Sequence, residues 1–288
     1  MNSKSSRLPY IGVDIGGSHI TAAHIDCDSN TIIEHTMKRE RVPSMESADV
    51  ILDSWVTALS SLILKTDEGS TKIGIAMPGP FDYKEGISLM KGMQKYDALH
   101  GMNIRTILAE KLDIPGEDII FINDAEAFLR GELASGAAAD FDRAIGVTLG
   151  TGLGSTSNCK GEVKDMNLAF APFLDSIAEE YISTRWFLKR YKELTGKEVA
   201  NVELFLSTDC VETKAQIFEE FATNLAAFLN EFIAEEQPQV VVVGGNIAKT
   251  WEHFISQLKE KIADKSVVIR RTEMWEDAAL VGAACSWA

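Results

Sequence analysis

One seven-residue pattern occurs twice, and the repeat narrows the folds open to this chain more than any other feature. Ile11-Gly12-Val13-Asp14-Ile15-Gly16-Gly17 returns 134 positions later as Ile145-Gly146-Val147-Thr148-Leu149-Gly150-Thr151. Each copy is an apolar strand with one polar residue on it and a glycine-rich turn at its end. Each turn runs into a second strand-like stretch, 18–25 and 154–158. A single glycine turn between strands is an ordinary hairpin. Two at this separation indicate duplicated halves, each offering a hairpin turn to one ligand. Chance is the alternative that pattern alone leaves open.

The rest of the chain fits around the repeat as a mixed α/β layer fold. Strands are predicted at 10–15, 20–25 and 31–37, and a helix over 47–64 from the spacing of Val50, Leu52, Trp55, Val56, Leu59, Leu62 and Ile63. A buried strand at 72–77 is stopped by Pro78-Gly79-Pro80, and a helix at 104–112 precedes a strand at 118–122 and a helix at 125–133. The second half adds helices over 178–194 and 213–235, then a strand at 238–243 broken by Gly244-Gly245-Asn246. A helix at 248–262, a strand at 267–271 and a last helix at 276–285 close the chain. Phe218, Phe221, Leu225, Phe228, Leu229 and Phe232 stripe one helix face and belong to the core. A length of 288 residues suits two domains. No low-complexity linker parts them, so the halves are expected to share a cleft.

The 43 acidic against 28 basic residues leave a net charge of −15, which argues against nucleic-acid and anionic-membrane partners. A polyanionic nucleotide must then be held by backbone N–H groups, helix N-termini and a metal ion. Cys27, Cys159, Cys210 and Cys285 form no C-x-x-C pair, so reduced, idle thiols and a cytoplasmic protein are expected. No apolar run approaches the roughly 20 residues that span a bilayer. Residues 1–7 read as a polar tail without the apolar region of a signal peptide.

Asp14 places a carboxylate inside an apolar strand, which is costly without a partner. A hydrated Mg²⁺ on nucleotide phosphates would be one, with Gly16 and Gly17 admitting phosphate oxygens to the backbone and Ser18 adding a hydroxyl. A turn that bonds Asp14 to itself is the structural alternative. In the second copy Gly150, Thr151 and Gly152 would face the same phosphates. Asn123-Asp124 ends a buried strand, where open α/β sheets place ligands. Asp124 suits a general base and Asn123 a substrate-orienting residue, while plain helix capping is the competing role. Gly245 and Asn246 could lie against adenine and ribose, or simply turn a strand into a helix. The five histidines show no zinc-ligand spacing, and neither a P-loop nor a G-x-S-x-G elbow is present.

The order Asp14-Ile15-Gly16-Gly17-Ser18, Pro78-Gly79-Pro80, Asn123-Asp124-Ala125, Leu149-Gly150-Thr151-Gly152-Leu153-Gly154 and Val243-Gly244-Gly245-Asn246-Ile247 resembles the ROK family of bacterial sugar kinases and sugar-responsive repressors. The closing Glu276-Asp277-Ala278-Ala279-Leu280-Val281-Gly282-Ala283-Ala284 resembles its usual ending. The resemblance implies a two-domain actin-like ATPase (ribonuclease H-like) fold, with domains at 1–123 and 124–273 and the last helix, 274–288, packed back on the first. It implies ATP and Mg²⁺, with Asp14 at the metal and Gly16, Gly17, Ser18, Gly150, Thr151 and Gly152 at the phosphates. Gly245 and Asn246 would lie near the adenosine. Gly79, Asn123, Asp124 and Glu179 would bind the sugar, with Asp124 as base. A homodimer is what the family suggests.

The segment 161–177 departs from the family pattern, lacking both the usual Gly-Glu-x-Gly-His and the cysteine-rich zinc loop, so no zinc is expected. The Glu-x-x-x-Ser that normally follows survives as Glu179-Glu180-Tyr181-Ile182-Ser183, and His19 stands where a lysine is usual. With 13 residues before Asp14, an N-terminal winged-helix domain is not expected, which disfavours the repressor branch. An ATP-dependent hexose or amino-sugar kinase is the leading expectation. A non-catalytic sugar- or nucleotide-responsive protein with a degenerate pocket is the alternative.

Overall fold

The computed structural model describes residues 8–66, 69–93 and 95–287; the polar tail at 1–7 lies outside the described residues. The chain forms two compact units. The first runs to Ser135 and takes in the chain again from Glu276, and the second is Gly136–Trp275.

In the first unit β1 (Tyr10–Ile15) turns back into β2 (His19–Asp26), with Asp14 opposite Thr21 and Ile15 opposite Ile20. Two short strands, β3 (Thr31–Ile32) and β4 (Lys38–Arg41), pair with opposite ends of β2. They replace the single strand predicted over 31–37. His35 has a left-handed φ of 65°, which interrupts the extended chain between them. Helix α1 (Ala48–Ser60) is shorter than predicted, and a ribbon of β5 (Lys65–Thr66) and β6 (Gly69–Ser70) follows. Then β7 (Ile73–Met77) lies parallel to β1, followed by the ribbon β8 (Phe81–Asp82) and β9 (Ile87–Ser88). Helix α2 (Ile104–Leu112) leads to β10 (Ile119–Asn123), parallel to β7, and α3 (Asp124–Ser135) leaves β10 directly. The sheet order is β10-β7-β1-β2-β3.

The second unit repeats that plan. β11 (Arg143–Leu149) and β12 (Leu153–Cys159) form the hairpin, and β13 (Glu162–Asp165) adds to β12. A small ribbon, β14 (Pro172–Phe173) with β15 (Ser176–Ile177), precedes α4 (Thr184–Thr195), α5 (Val202–Leu206) and the long α6 (Val211–Glu236). Then β16 (Val240–Gly244) lies parallel to β11 and, after α7 (Ile255–Lys261), β17 (Val268–Arg271) lies parallel to β16. The order β13-β12-β11-β16-β17 matches the first sheet in sequence and in strand direction. Two apolar faces close the core, with the predicted α6 stripe buried and Phe187 4.7 Å from Phe221 between ring centroids.

Two predicted helices are broken. Over 178–194 the chain makes a 3₁₀ turn, Ala178–Glu180, and α4 starts only at Thr184, whose N–H donates to the Gly150 carbonyl oxygen at 2.8 Å. Over 248–262 a 3₁₀ stretch, Asn246–His253, is kinked at Thr250 before α7 begins.

The last helix, α8 (Asp277–Ala284), packs on β1, β7 and α3 with backbone touching backbone. A Cβ on Gly74 would stand 1.9 Å from the Ala283 carbonyl oxygen, and one on Gly282 1.9 Å from that of Ala127. Only glycine fits at such an approach. The first unit extends to Ser135, so α3 lies within it rather than opening the second. Beyond α8, Cys285 is disulfide-bonded to Cys27, 258 positions away. This corrects the expectation of four idle thiols, because spacing along the sequence cannot register a pair joined by a helix that folds back. Cys159 and Cys210 are free thiols. No helix among the described residues is long and apolar enough to cross a membrane.

Candidate active site

The parallel register of the first sheet aligns Asp14 with Ala76, and Ala76 with Ile122. The C-terminal ends of β1, β7 and β10 therefore bring Gly16-Gly17-Ser18, Pro78-Gly79-Pro80 and Asn123-Asp124 to one sheet edge. That edge is where open α/β sheets bind ligands.

The first glycine turn is held by one N–H and by all three of its carbonyls. Gly16 N–H closes the hairpin on the His19 carbonyl at 2.9 Å. The Tyr96 hydroxyl donates to the Gly16 carbonyl oxygen at 2.5 Å, Ser44 Oγ to that of Gly17 at 2.7 Å, and the Val42 N–H to that of Ser18 at 2.8 Å. Among the described residues, no protein acceptor meets the N–H of Gly17 or of Ser18. With its acceptors occupied and two donors left open, the turn is a cradle for an anion. Burial, then the neighbouring charge of Asp14, holds the Tyr96 hydroxyl well above the ordinary phenol range, so it stays a donor.

Asp14 stands beside this turn. Burial is the main reason its carboxyl is pushed up to about 7, reinforced by Asp124 and Glu276 and opposed by Arg39. Arg39 is itself paired with Glu276 at 2.5 Å.

Asn123 is committed to capping. Its Oδ1 accepts from the N–H groups of Ala125 (2.8 Å) and Glu126 (3.2 Å), and its Nδ2 donates to the Tyr83 hydroxyl at 3.2 Å. The Tyr83 hydroxyl donates in turn to the Met77 carbonyl at 3.0 Å and lies 3.4 Å from where a Cβ on Gly79 would stand. Tyr83 thus joins the cis Gly79-Pro80 turn to the end of β10. Asp124 is exposed at the first position of α3, with Oδ1 accepting from the Ala125 N–H at 2.9 Å. A carboxylate at a helix N-terminus is electrostatically favoured there.

In the second unit Thr148 pairs with Gly244, so the turns after β11 and β16 share an edge. Gly150 N–H donates to the Gly152 carbonyl at 3.0 Å, and Thr151 is exposed at the tip. The Glu179 carboxylate backs this turn: Oε2 accepts from the Leu153 N–H at 3.0 Å, and Oε1 is bonded to the Arg185 guanidinium. A Cβ on Gly152 would stand 2.5 Å from Glu179 Oε2, and one on Gly245 (φ 83°) 2.4 Å from the Leu149 carbonyl oxygen. Gly245 and Asn246 are exposed beside the turn. Residue patterns alone missed Tyr96, Ser44 and Tyr83. Each acts through a bond to a glycine-turn or strand-end carbonyl, and no spacing rule signals such a bond.

The ROK family model matches residues 10–164, more than half of the chain. The chain belongs to the ROK family. It is 23% identical to a glucokinase from Thermotoga maritima over 96% of each chain, and 23% identical to an N-acetyl-D-glucosamine kinase from Histophilus somni over 83% of this chain and 84% of that one. In structure it resembles a ROK family glucokinase from Streptomyces griseus in complex with glucose and AMPPNP, with a TM-score of 0.73 at 21% identity, covering 96% of this chain and 98% of the other. This ROK chain has the two-domain actin-like ATPase fold of those neighbours.

Proposed function

We propose that this ROK chain is an ATP-dependent sugar kinase that transfers the γ-phosphoryl group to a hydroxyl of a hexose or amino sugar. One observation carries the reading: the first sheet edge gathers a turn with open N–H donors, the half-buried Asp14 and the exposed Asp124. The curated relatives, named as sugar kinases along nearly matching lengths, support it.

The N–H groups of Gly16's neighbours, Gly17 and Ser18, with the Ser18 hydroxyl, bind phosphate oxygens. From the second unit we assign Gly150, Thr151 and Gly152 to phosphate, and Gly245 and Asn246 to the adenosine. Gly79 and Asn123 position the sugar, Asn123 through its backbone end and its bond to Tyr83. Glu179, whose carboxylate backs the second turn, is assigned to the sugar. Asp124 takes the proton of the attacking hydroxyl as its oxygen bonds the γ-phosphorus and the bond to the ADP oxygen breaks. Base catalysis of this kind contributes typically about 10²–10⁴-fold.

The chemistry of Asp14 fits a magnesium ion. Among the described residues no three His, Cys, Asp or Glu side chains form a metal-binding set, so the ion would be carried on phosphates, with Asp14 as its protein carboxylate. A cation there offsets the burial and the like charges that raise the Asp14 pKa. When bound, Mg²⁺ neutralises charge on the phosphates. No zinc is part of the proposal; the segment 161–177 is anchored by buried Val163, Ala169 and Phe173. Cytoplasmic residence, where ATP is supplied, and a homodimer, on family likeness, complete the reading.

A coupled ADP-release assay over hexoses and N-acetylhexosamines tests it. Release that depends on one of these sugars is expected. Thermal stabilisation by a sugar with no ADP release would overturn it in favour of a non-catalytic sugar-responsive protein.

A further inference from the structure

We propose that Lys95 is a phosphate ligand at the first glycine turn, an assignment that rests on the nucleotide-binding part of the reading above. The Cδ of Lys95 lies 3.7 Å from where a Cβ on Gly17 would stand, so its stem reaches the turn at Gly17. Three bonds fix that approach. The Tyr96 hydroxyl donates to the Gly16 carbonyl at 2.5 Å across 80 positions, the Tyr96 N–H donates to the Ser44 carbonyl at 2.7 Å, and Ser44 Oγ donates to the Gly17 carbonyl at 2.7 Å. The segment carrying Lys95 is thereby tied to the turn directly and again through Ser44.

The backbone at Tyr96 explains why Lys95 faces the turn. Tyr96 has a left-handed φ of 59°, fully buried with its ring edge-on to Trp55 at 5.5 Å. A bulky residue holds such a conformation only where surrounding contacts over-determine it. With Tyr96 driven into the core, its predecessor is left half-buried against Gly17.

The charge pattern says what Lys95 would hold. Lys65, Lys111, Lys164 and Lys192 each pair with a carboxylate, whereas Lys95 makes no ion pair among the described residues. The imidazole of His19, which follows the turn, is bonded through Nδ1 to Ser18 Oγ at 2.9 Å. An ammonium on a flexible stem beside the open N–H groups of Gly17 and Ser18 completes an anion site of the kind that binds a phosphoanhydride chain. A nucleoside triphosphate and a free inorganic polyphosphate both present that chain.

Calorimetric titration of the full chain with ATP, adenosine and inorganic tripolyphosphate tests the assignment, using wild type, Lys95→Met, Lys95→Arg and the charge-matched Lys91→Met. The Lys95→Met variant should bind ATP about ten-fold more weakly or worse, with adenosine unchanged. Lys95→Arg should recover most of the loss, and Lys91→Met should match wild type. Tripolyphosphate bound and weakened in parallel makes the chain of phosphates the recognised group, and ATP bound alone makes it the nucleotide. An ATP affinity within about two-fold of wild type in Lys95→Met, or an equal loss in Lys91→Met or for adenosine, overturns the proposal. ATP binding that depends on Lys95 without sugar-dependent ADP release would sink the kinase reading alone. Wild type that binds neither ATP nor tripolyphosphate sinks both.

Discussion

Glu179 Oε2 accepts a hydrogen bond from the Leu153 N–H at 3.0 Å, the residue that follows the second glycine turn. Its other oxygen is bonded to Arg185 in the first turn of α4, and the Thr184 N–H holds the Gly150 carbonyl. The turn is therefore braced from behind by one carboxylate and one helix start.

Glu179→Ala should loosen that brace. It leaves the Leu153 N–H without its acceptor and Arg185 with only its longer pairing to Glu180 at 3.5 Å, a loss of about 1–3 kcal/mol in stability. The KM for ATP should rise more than the KM for sugar. A rise confined to the sugar KM would instead make Glu179 a sugar ligand, as its place in the sequence suggests.

The Asp14 carboxyl makes the metal-free protein's stability depend on pH. An aspartate in an unfolded chain titrates near about 4, and in the fold Asp14 titrates at about 7. Folding takes up a proton between those values. The associated stability is complete below the unfolded pKa and is lost as pH rises through the folded one. Melting temperatures of wild type and Asp14→Asn should therefore diverge between about pH 4 and pH 7, with the variant gaining relative to wild type. A difference that stays constant across that range contradicts a raised Asp14 pKa in the folded protein.

The attachment of α8 yields two stability tests. Gly74→Ala forces a Cβ onto the Ala283 carbonyl and should cost about 1–3 kcal/mol, as overpacking does. Cys27→Ser removes the disulfide to Cys285 and should lower stability by about 2–4 kcal/mol under non-reducing conditions. Denaturant midpoints check both, and the second difference should vanish in reductant.

The features legible in the sequence were the local ones. The two glycine turns, the strands before them and the α6 stripe each announce themselves within a few residues, and their repetition implied the matched sheets seen in β10-β7-β1-β2 and β17-β16-β11-β12. Asn123-Asp124 was recognisable as a strand end. That the Asn123 side chain caps α3 was one of two roles the pattern allowed. What lay beyond reach depends on distant partners. His35 adopts a left-handed turn in a β-like run, Thr184 restarts a helix where it meets Gly150, and Tyr96 and Ser44 hold a turn many positions earlier. The Cys27–Cys285 bond exists only once α8 has folded back. Periodicity records none of these.

The most direct measurement is turnover of Asp124→Ala with its best sugar, alongside its affinity for ATP. The account predicts a fall of at least about 10² in kcat with ATP binding nearly intact. Wild-type turnover in that variant would show that the proton leaves by another route and would contradict the base assignment on which the mechanism stands.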